Sequence, residues 1–329
     1  MDSHINVLYQ CDNNYAPFMG VSLTSLLMNN VELENLHIFL LGKDLSIENM
    51  QKIQRTCDEY GRKIIFLDCV GLDERIENYG MNKYRGSYAT FYKLFVSELL
   101  KDMGITVQRM LYIDSDTVIT GNIKELYFAD LRQKPIGMVP DTLAYQYKEE
   151  LGFEGSDIYY NAGLVLYDFE QIYKNKWEHK MSEHIRDIKA DYHKHEQDLL
   201  NVVFRNNICT LPLRYNLQSI HRAATVEQFY SIYKKITYYT KEELKEETES
   251  GVILHFLRFN GEFPWMKNST HPYAEIYDMY KLKSLWKDEQ KLEKDKNLLY
   301  VIERILYKIL PRTVFLFIFK FLHDMTHIV

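Results

Sequence analysis

The residues best suited to chemistry are Asp114 and Asp116, which follow the apolar run Met110-Leu111-Tyr112-Ile113 with only Ser115 between them. Two carboxylates at the end of a strand can converge on one hard divalent cation through oxygen. A cation held there would neutralise a diphosphate and stabilise it as it leaves. A second polar cluster, Gln10-Cys11-Asp12-Asn13-Asn14-Tyr15, follows the apolar run that starts at Ile5. On their own, Asp12 and Asn14 are also ordinary turn formers and helix caps. There is no GxGxxG or Walker loop, so a dinucleotide fold and a P-loop NTPase have no support.

These clusters need elements to carry them. Ile5 to Tyr9, Leu36 to Leu41, Ile64 to Leu67 and Met110 to Ile113 read as strands. Pro17 to Met28 and Tyr88 to Leu100 read as helices; a third helix is capped by Ser46 and ended by Gly61 in a left-handed turn. Strands alternating with helices predict an α/β fold with parallel crossovers and a doubly wound sheet. Ligands in such sheets bind beyond the carboxyl ends of the strands, where both polar clusters fall.

The chain has 329 residues, enough for one large α/β domain or two ordinary ones. Its formal charge of −6 argues against a nucleic-acid partner. From Lys281 onward, however, ten Lys and Arg face six Asp and Glu, a balance of +4 against −10 for the rest. Cys11, Cys57, Cys69 and Cys209 form no CxxC pair, which excludes the usual zinc and redox motifs and favours a reducing compartment. The 26 tyrosines supply flat apolar faces with a hydroxyl, suited to sugars, bases or a core. A strand beginning at Ile5 leaves no room for a signal peptide, so a cytoplasmic protein is expected.

The body is expected to span residues 1–268, with a helical tail over 269–329. Lys281 to Lys296 reads as a charged helical stretch, followed by the apolar segments Leu298 to Leu310 and Val314 to Leu322 on either side of Pro311. Both are shorter than the roughly 20 residues a bilayer span requires. Lys308, Arg312 and Lys320 interrupt the apolar residues as in helices that lie in a membrane interface; packing on the body or a second subunit is the alternative.

Taken together, residues Ile5 to Trp265 resemble glycosyltransferase family 8, the retaining glucosyl- and galactosyltransferases of the lipooligosaccharide type. The resemblance rests on several blocks in order: Asp12-Asn13-Asn14-Tyr15-Ala16, Leu111 to Asp116, Tyr160-Asn161-Ala162-Gly163-Leu164, Glu196 to Asn201, and Leu254-His255-Phe256 ahead of Pro264-Trp265. It implies a GT-A-like fold in which Asp12, Asn14 and Tyr15 hold uracil and ribose. Asp114, Asp116 and His255 would bind Mn2+, or Mg2+, with Ser115 beside the donor. The Asn161-Ala162-Gly163 segment would form a turn beside the transferred sugar, contacted also by Asp141. Glu196 and Gln197 would stand near the reacting carbon. The implied donor is a UDP-hexose and the acceptor a glycan or lipid-linked saccharide, which suits a peripheral enzyme on the inner face of a bacterial membrane.

Three departures qualify the likeness. Glu196 stands where the family has aspartate, Lys93 where it commonly has arginine, and the loop after His255 lacks a lysine that contacts diphosphate, a role Arg258 could take. Lysine cannot reproduce a bidentate guanidinium contact. Two readings of other classes stand beside this one. A haloacid-dehalogenase phosphatase would use Asp114 as nucleophile, but wants an early strand and a later Gly-Asp pair, which is missing after Thr117. A catalytically dead sugar-nucleotide or glycan-binding protein would not need both acids and His255.

Overall fold

The computed structural model describes residues 4–83, 87–143, 147–187, 192 and 195–326. Among them, ten strands form two sheets. The larger runs in the order β3 (Lys63–Leu67), β2 (Leu36–Lys43), β1 (Ile5–Asp12), β4 (Arg109–Ile113), β7 (Tyr160–Asp168), β6 (Ile136–Pro140), β8 (Ile208–Thr210). β1 to β4 pair in parallel, as crossover units require, while β7 runs antiparallel to both β4 and β6. The expected mixed α/β sheet is therefore present. A smaller sheet, not foreseen from the sequence, has the order β5 (Thr117–Ile119), β10 (Ile253–His255), β9 (Leu217–Gln218).

Strand alternation builds a core on each face of the large sheet. Val7, Tyr9, Leu111 and Ile113 face one apolar cluster, and Leu8, Met110 and Tyr112 the other. Such two-sided burial is why these strands read as near-continuous apolar runs. The Ala16–Met28 helix is buried along most of its length between the two sheets, with Ser25 Oγ accepting from the Ile119 amide at 2.8 Å. Ser46 caps the Ile47–Glu59 helix as expected, and Gly61 follows it at φ +62°. The four cysteines are free.

Three expectations are corrected. Tyr88 to Leu100 is not one helix: a 3-10 segment, Ala89–Phe95, leads into the short helix Val96–Asp102. Asn161-Ala162-Gly163 is not a turn but lies inside β7, where the register to β6 slips between Met138 and Val139. The Lys281 to Lys296 stretch is not helical; the Ala274–Lys281 helix ends there and an irregular segment continues to the Leu298–Ile309 helix. Its many charges are spent on the body instead of on a helix face. Lys294 pairs with buried Glu262, and the Leu292 amide donates to Trp265 O at 3.0 Å.

The tail shares the body's core. A Cβ on Gly20 would meet the Trp286 ring at 2.1 Å, so only glycine lets that indole lie on the first helix. Tyr307, Phe315 and Phe319 close around Phe259. Their helices, Leu298–Ile309 and Arg312–Thr326, still expose Leu298, Ile305, Ile309, Phe317 and Phe321. No described helix is long and apolar enough to cross a membrane.

Candidate active site

The end of β4 fixes the first acid. Asp114 N–H donates to Gly163 O at 2.8 Å, which holds the turn after β4 against β7. Ser115 Oγ donates to Gln10 O at 2.5 Å, joining this turn to the end of β1. Thr117 Oγ1 donates to Asp114 O at 2.8 Å, and the chain leaves as β5. β5 then recruits β10 antiparallel, with His255 opposite Thr117 and Phe256 N–H on Asp116 O at 2.9 Å. A residue 139 positions after Asp116 thus arrives beside it through a three-residue strand pairing.

His255 Nε2 lies 3.3 Å from Asp116 Oδ1 and 3.8 Å from Asp114 Oδ2. One ligand atom from each of the three falls within 4.8 Å of the others. Adjacent ligands on an octahedral ion with bonds of about 2.1 Å stand about 3 Å apart, so the set suits one divalent cation. Burial alone would push the buried imidazole down, but Asp116, with Asp114 and Asp141 behind it, outweighs burial and lifts it above its ordinary value. A Cβ on Gly163 would meet His255 Cε1 at 2.3 Å, so glycine is required where the ring crosses β7.

Beside this triad lies a polar network on β7 and the His195–Val203 helix. Asn161 Nδ2 donates to Asp141 Oδ2 at 3.0 Å, and its Oδ1 accepts from Gly163 N–H at 2.9 Å and Asn216 Nδ2 at 2.8 Å. Gln197 Oε1 accepts from Ala162 N–H at 2.9 Å, while its Nε2 donates to Asp141 Oδ2 and Tyr159 Oη, each at 3.2 Å. Asn201, one turn on, clamps Tyr160 N–H and C=O at 2.8 Å each, which fixes the helix against β7. The buried Lys93 ammonium reaches Glu196 Oε1 at 3.2 Å, Ala162 O at 3.2 Å and Asp114 Oδ1 at 3.5 Å. Burial would lower its pKa, yet Asp114 and Glu196 prevail and raise it, so it stays charged.

Other expected residues sit apart from this cluster's hydrogen bonds. Asp12 Oδ1 accepts from Tyr15 N–H at 2.8 Å, and the Tyr15 ring meets Phe18 edge-on at the start of the first helix. Asn14 is exposed, whereas Asn13 ties the loop to Ser46 and Asn49. The Arg258 guanidinium lies 3.3 Å from Asp295 and over the rings of Phe263 and Tyr300. Asn216 and Tyr159 carry no sequence signal of a role in the site, and Tyr112 and Asp198 stand inside the resemblance blocks without a role of their own. Tyr112 donates to Asp114 and Tyr159 to Asp198, both from inside the core. Strand alternation marks them as core tyrosines; nothing in the sequence marks their hydroxyls as polar supports.

A mixed sheet with an acid pair beyond a central strand, an imidazole brought over from a small second sheet and a polar side-chain network alongside define a glycosyltransferase of the GT-A class. Residues 6–269 match glycosyl transferase family 8, and the chain belongs to that family. It is 25% identical over 290 residues to general stress protein A of Bacillus subtilis, covering 87% of this chain and 96% of that protein. It is 26% identical over 300 residues to the lipopolysaccharide 1,2-glucosyltransferase of Escherichia coli, covering 87% and 80%. The solved galactosyltransferase LgtC superposes with a TM-score of 0.67 at 20% identity, covering 85% of this chain and 96% of that one. The family match removes the phosphatase alternative, whose motif belongs on an early strand, and the non-catalytic one.

Proposed function

We propose that this enzyme moves a hexose, glucose or galactose, from UDP to a glycan or lipid-linked saccharide with retention at the anomeric carbon. The observation that carries this reading is the convergence of Asp114, Asp116 and His255 within reach of one cation, next to the Asp141–Asn161–Gln197 network. The names of relatives that transfer glucose or galactose support the choice of sugar.

The three residues would hold Mn2+, or Mg2+, which supplies charge neutralisation to a departing diphosphate. The protein's own groups do the rest. Asp141, Asn161 and Lys93-anchored Glu196 would orient the hexose, and Ser115 and the Asp12–Tyr15 loop would seat the nucleoside. Arg258 could reach a diphosphate only by leaving Asp295. Gln197 Oε1 already accepts from Ala162 N–H, which fixes it and makes it a poorer nucleophile. That favours a same-face route, in which the departing phosphate takes the acceptor's proton, over a covalent intermediate on Gln197.

The exposed apolar faces of the two tail helices, flanked by Lys308 and Arg312, support a peripheral place on an anionic membrane, on the cytoplasmic side. A donor screen tests the central reading: UDP-glucose, UDP-galactose and UDP-N-acetylglucosamine with Mn2+, following UDP release. Release from a UDP-hexose, abolished by chelator and by Asp116→Ala, is expected. Absence of both release and metal-dependent UDP binding would overturn it.

A further inference from the structure

Gln218 has no role in the site described above, yet its placement is unusual. It is 1% exposed, and neither its Nε2 nor its Oε1 has a hydrogen-bond partner among the described residues. It stands at the N-cap of the Ser219–Arg222 turn, but its side chain does not cap that turn. A buried amide left without protein partners costs stability unless a ligand or an ordered water completes its bonds.

Strand geometry says which way it points. Side chains alternate along β9, and Leu217 belongs to the apolar core, so Asn216 and Gln218 share the opposite face. Asn216 on that face reaches Asn161 and His255. Across the small sheet, Gln218 is in parallel register with His255, one strand spacing of about 4.8 Å away, on the side opposite β5. Three residues further, His221 Nε2 lies 3.2 Å from Thr142 Oγ1, the neighbour of Asp141. Gln218 is thus in register with the candidate metal ligand and three residues ahead of the histidine that touches the segment carrying Asp141.

We propose that the Gln218 amide reads a sugar hydroxyl in the reacting pair. A hydroxyl both donates and accepts, and an amide presents a matching acceptor and donor side by side. The source is the transferred hexose or the acceptor sugar, and the test below separates the two. The inference rests on the transferase reading.

The test uses Gln218→Met, which keeps volume and removes both polar atoms. Melting temperature equal to or above wild type, unchanged Mn2+-dependent UDP affinity and a fall of about tenfold or more in kcat/KM are expected. If hydrolysis of UDP-glucose or UDP-galactose without acceptor falls, the hydroxyl belongs to the donor. If that hydrolysis is kept and transfer to a panel of glucose- and galactose-terminated oligosaccharides falls, it belongs to the acceptor. Unchanged hydrolysis and transfer, or a melting temperature lowered by several degrees, overturns the proposal. A wild type that turns over no UDP-sugar removes the transferase reading, and this inference with it.

Discussion

The side-chain carbonyl of Asn216 lies 2.9 Å from Nδ1 of His255, and its amide nitrogen donates to Asn161 Oδ1 at 2.8 Å. Because the amide nitrogen is committed to Asn161, the carbonyl accepts from His255, which places the proton on Nδ1. With a cation held between Asp114 and Asp116, Nε2 would turn its lone pair to it; without one, the same nitrogen faces the two carboxylates as a donor, which is why they raise the imidazole's pKa. Outer partners of this kind fix both ring orientation and tautomer. Asn216→Ala should weaken Mn2+ binding by roughly 10- to 100-fold while the fold persists. Titration calorimetry with Mn2+ and UDP measures this, and an unchanged affinity would mean that Gly163 and the β5–β10 pairing alone hold the ring.

Lys93 is the hub that keeps Glu196 and Asp114 together out of water. Removing its charge strands two partly buried carboxylates. Lys93→Met is expected to destabilise the protein by on the order of 3 kcal/mol, read by urea unfolding. Glu196 is one methylene longer than the aspartate that the family resemblance implies there, and Lys93 is the less extended partner. Lys93→Arg alone should crowd the pair, and adding Glu196→Asp should restore stability. A double variant no better than the single one would separate the two positions.

Much of this was legible because the acids and the Asn161-Ala162-Gly163 and Glu196 to Asn201 blocks are short and local. Asp114 and Asp116 could be placed from one apolar strand and its end. Asn216 could not, since nothing around Tyr215-Asn216-Leu217 signals that a two-residue strand will lie beside His255. The small sheet is built from pairings two or three residues long, too brief for periodicity to register. The charge density of Lys281 to Lys296 suggests a solvated helix, but those side chains bind acids of the body, as Lys294 does Glu262, and the stretch's own backbone. Lys281 Nζ alone reaches the carbonyls of Trp286, Lys287 and Glu289.

Gln197 is held by three partners, Ala162, Asp141 and Tyr159, and bonds to neither Asp114 nor Asp116. Gln197→Ala should therefore lower kcat on a UDP-hexose by at least about tenfold while leaving Mn2+-dependent UDP affinity nearly unchanged. Comparing turnover with UDP calorimetry checks it. Loss of UDP binding in this variant would detach Gln197 from the reacting end.

Glu303 gives the fold a pH dependence of its own. Burial pushes its carboxyl up to about 7, against the pull of Arg258 and Arg304. The folded state therefore holds this proton more tightly than the unfolded chain. The sign follows: stability falls as pH rises from about 4.5 to about 7, then levels. Glu303→Gln should melt higher than wild type at pH 8 and alongside it at pH 5. Equal melting temperatures at both values would show that the carboxylate is adequately solvated.

The tail helices bury one face and expose another. Tyr307, Phe315 and Phe319 are committed to Phe259, whereas Leu298, Ile302, Ile305 and Ile309 recur at helical spacing on the outside, with Phe317 and Phe321 beyond Pro311. Because the inner face belongs to the core, deleting the tail would confound binding with unfolding. The informative variant is Ile305→Glu with Phe317→Glu, both on exposed positions. Wild type should cosediment with phosphatidylglycerol vesicles, less so at high salt, as expected where basic side chains meet anionic lipid. The double variant should stay in solution yet hydrolyse UDP-hexose at the wild-type rate. Undiminished cosedimentation would assign the outer face to something other than lipid.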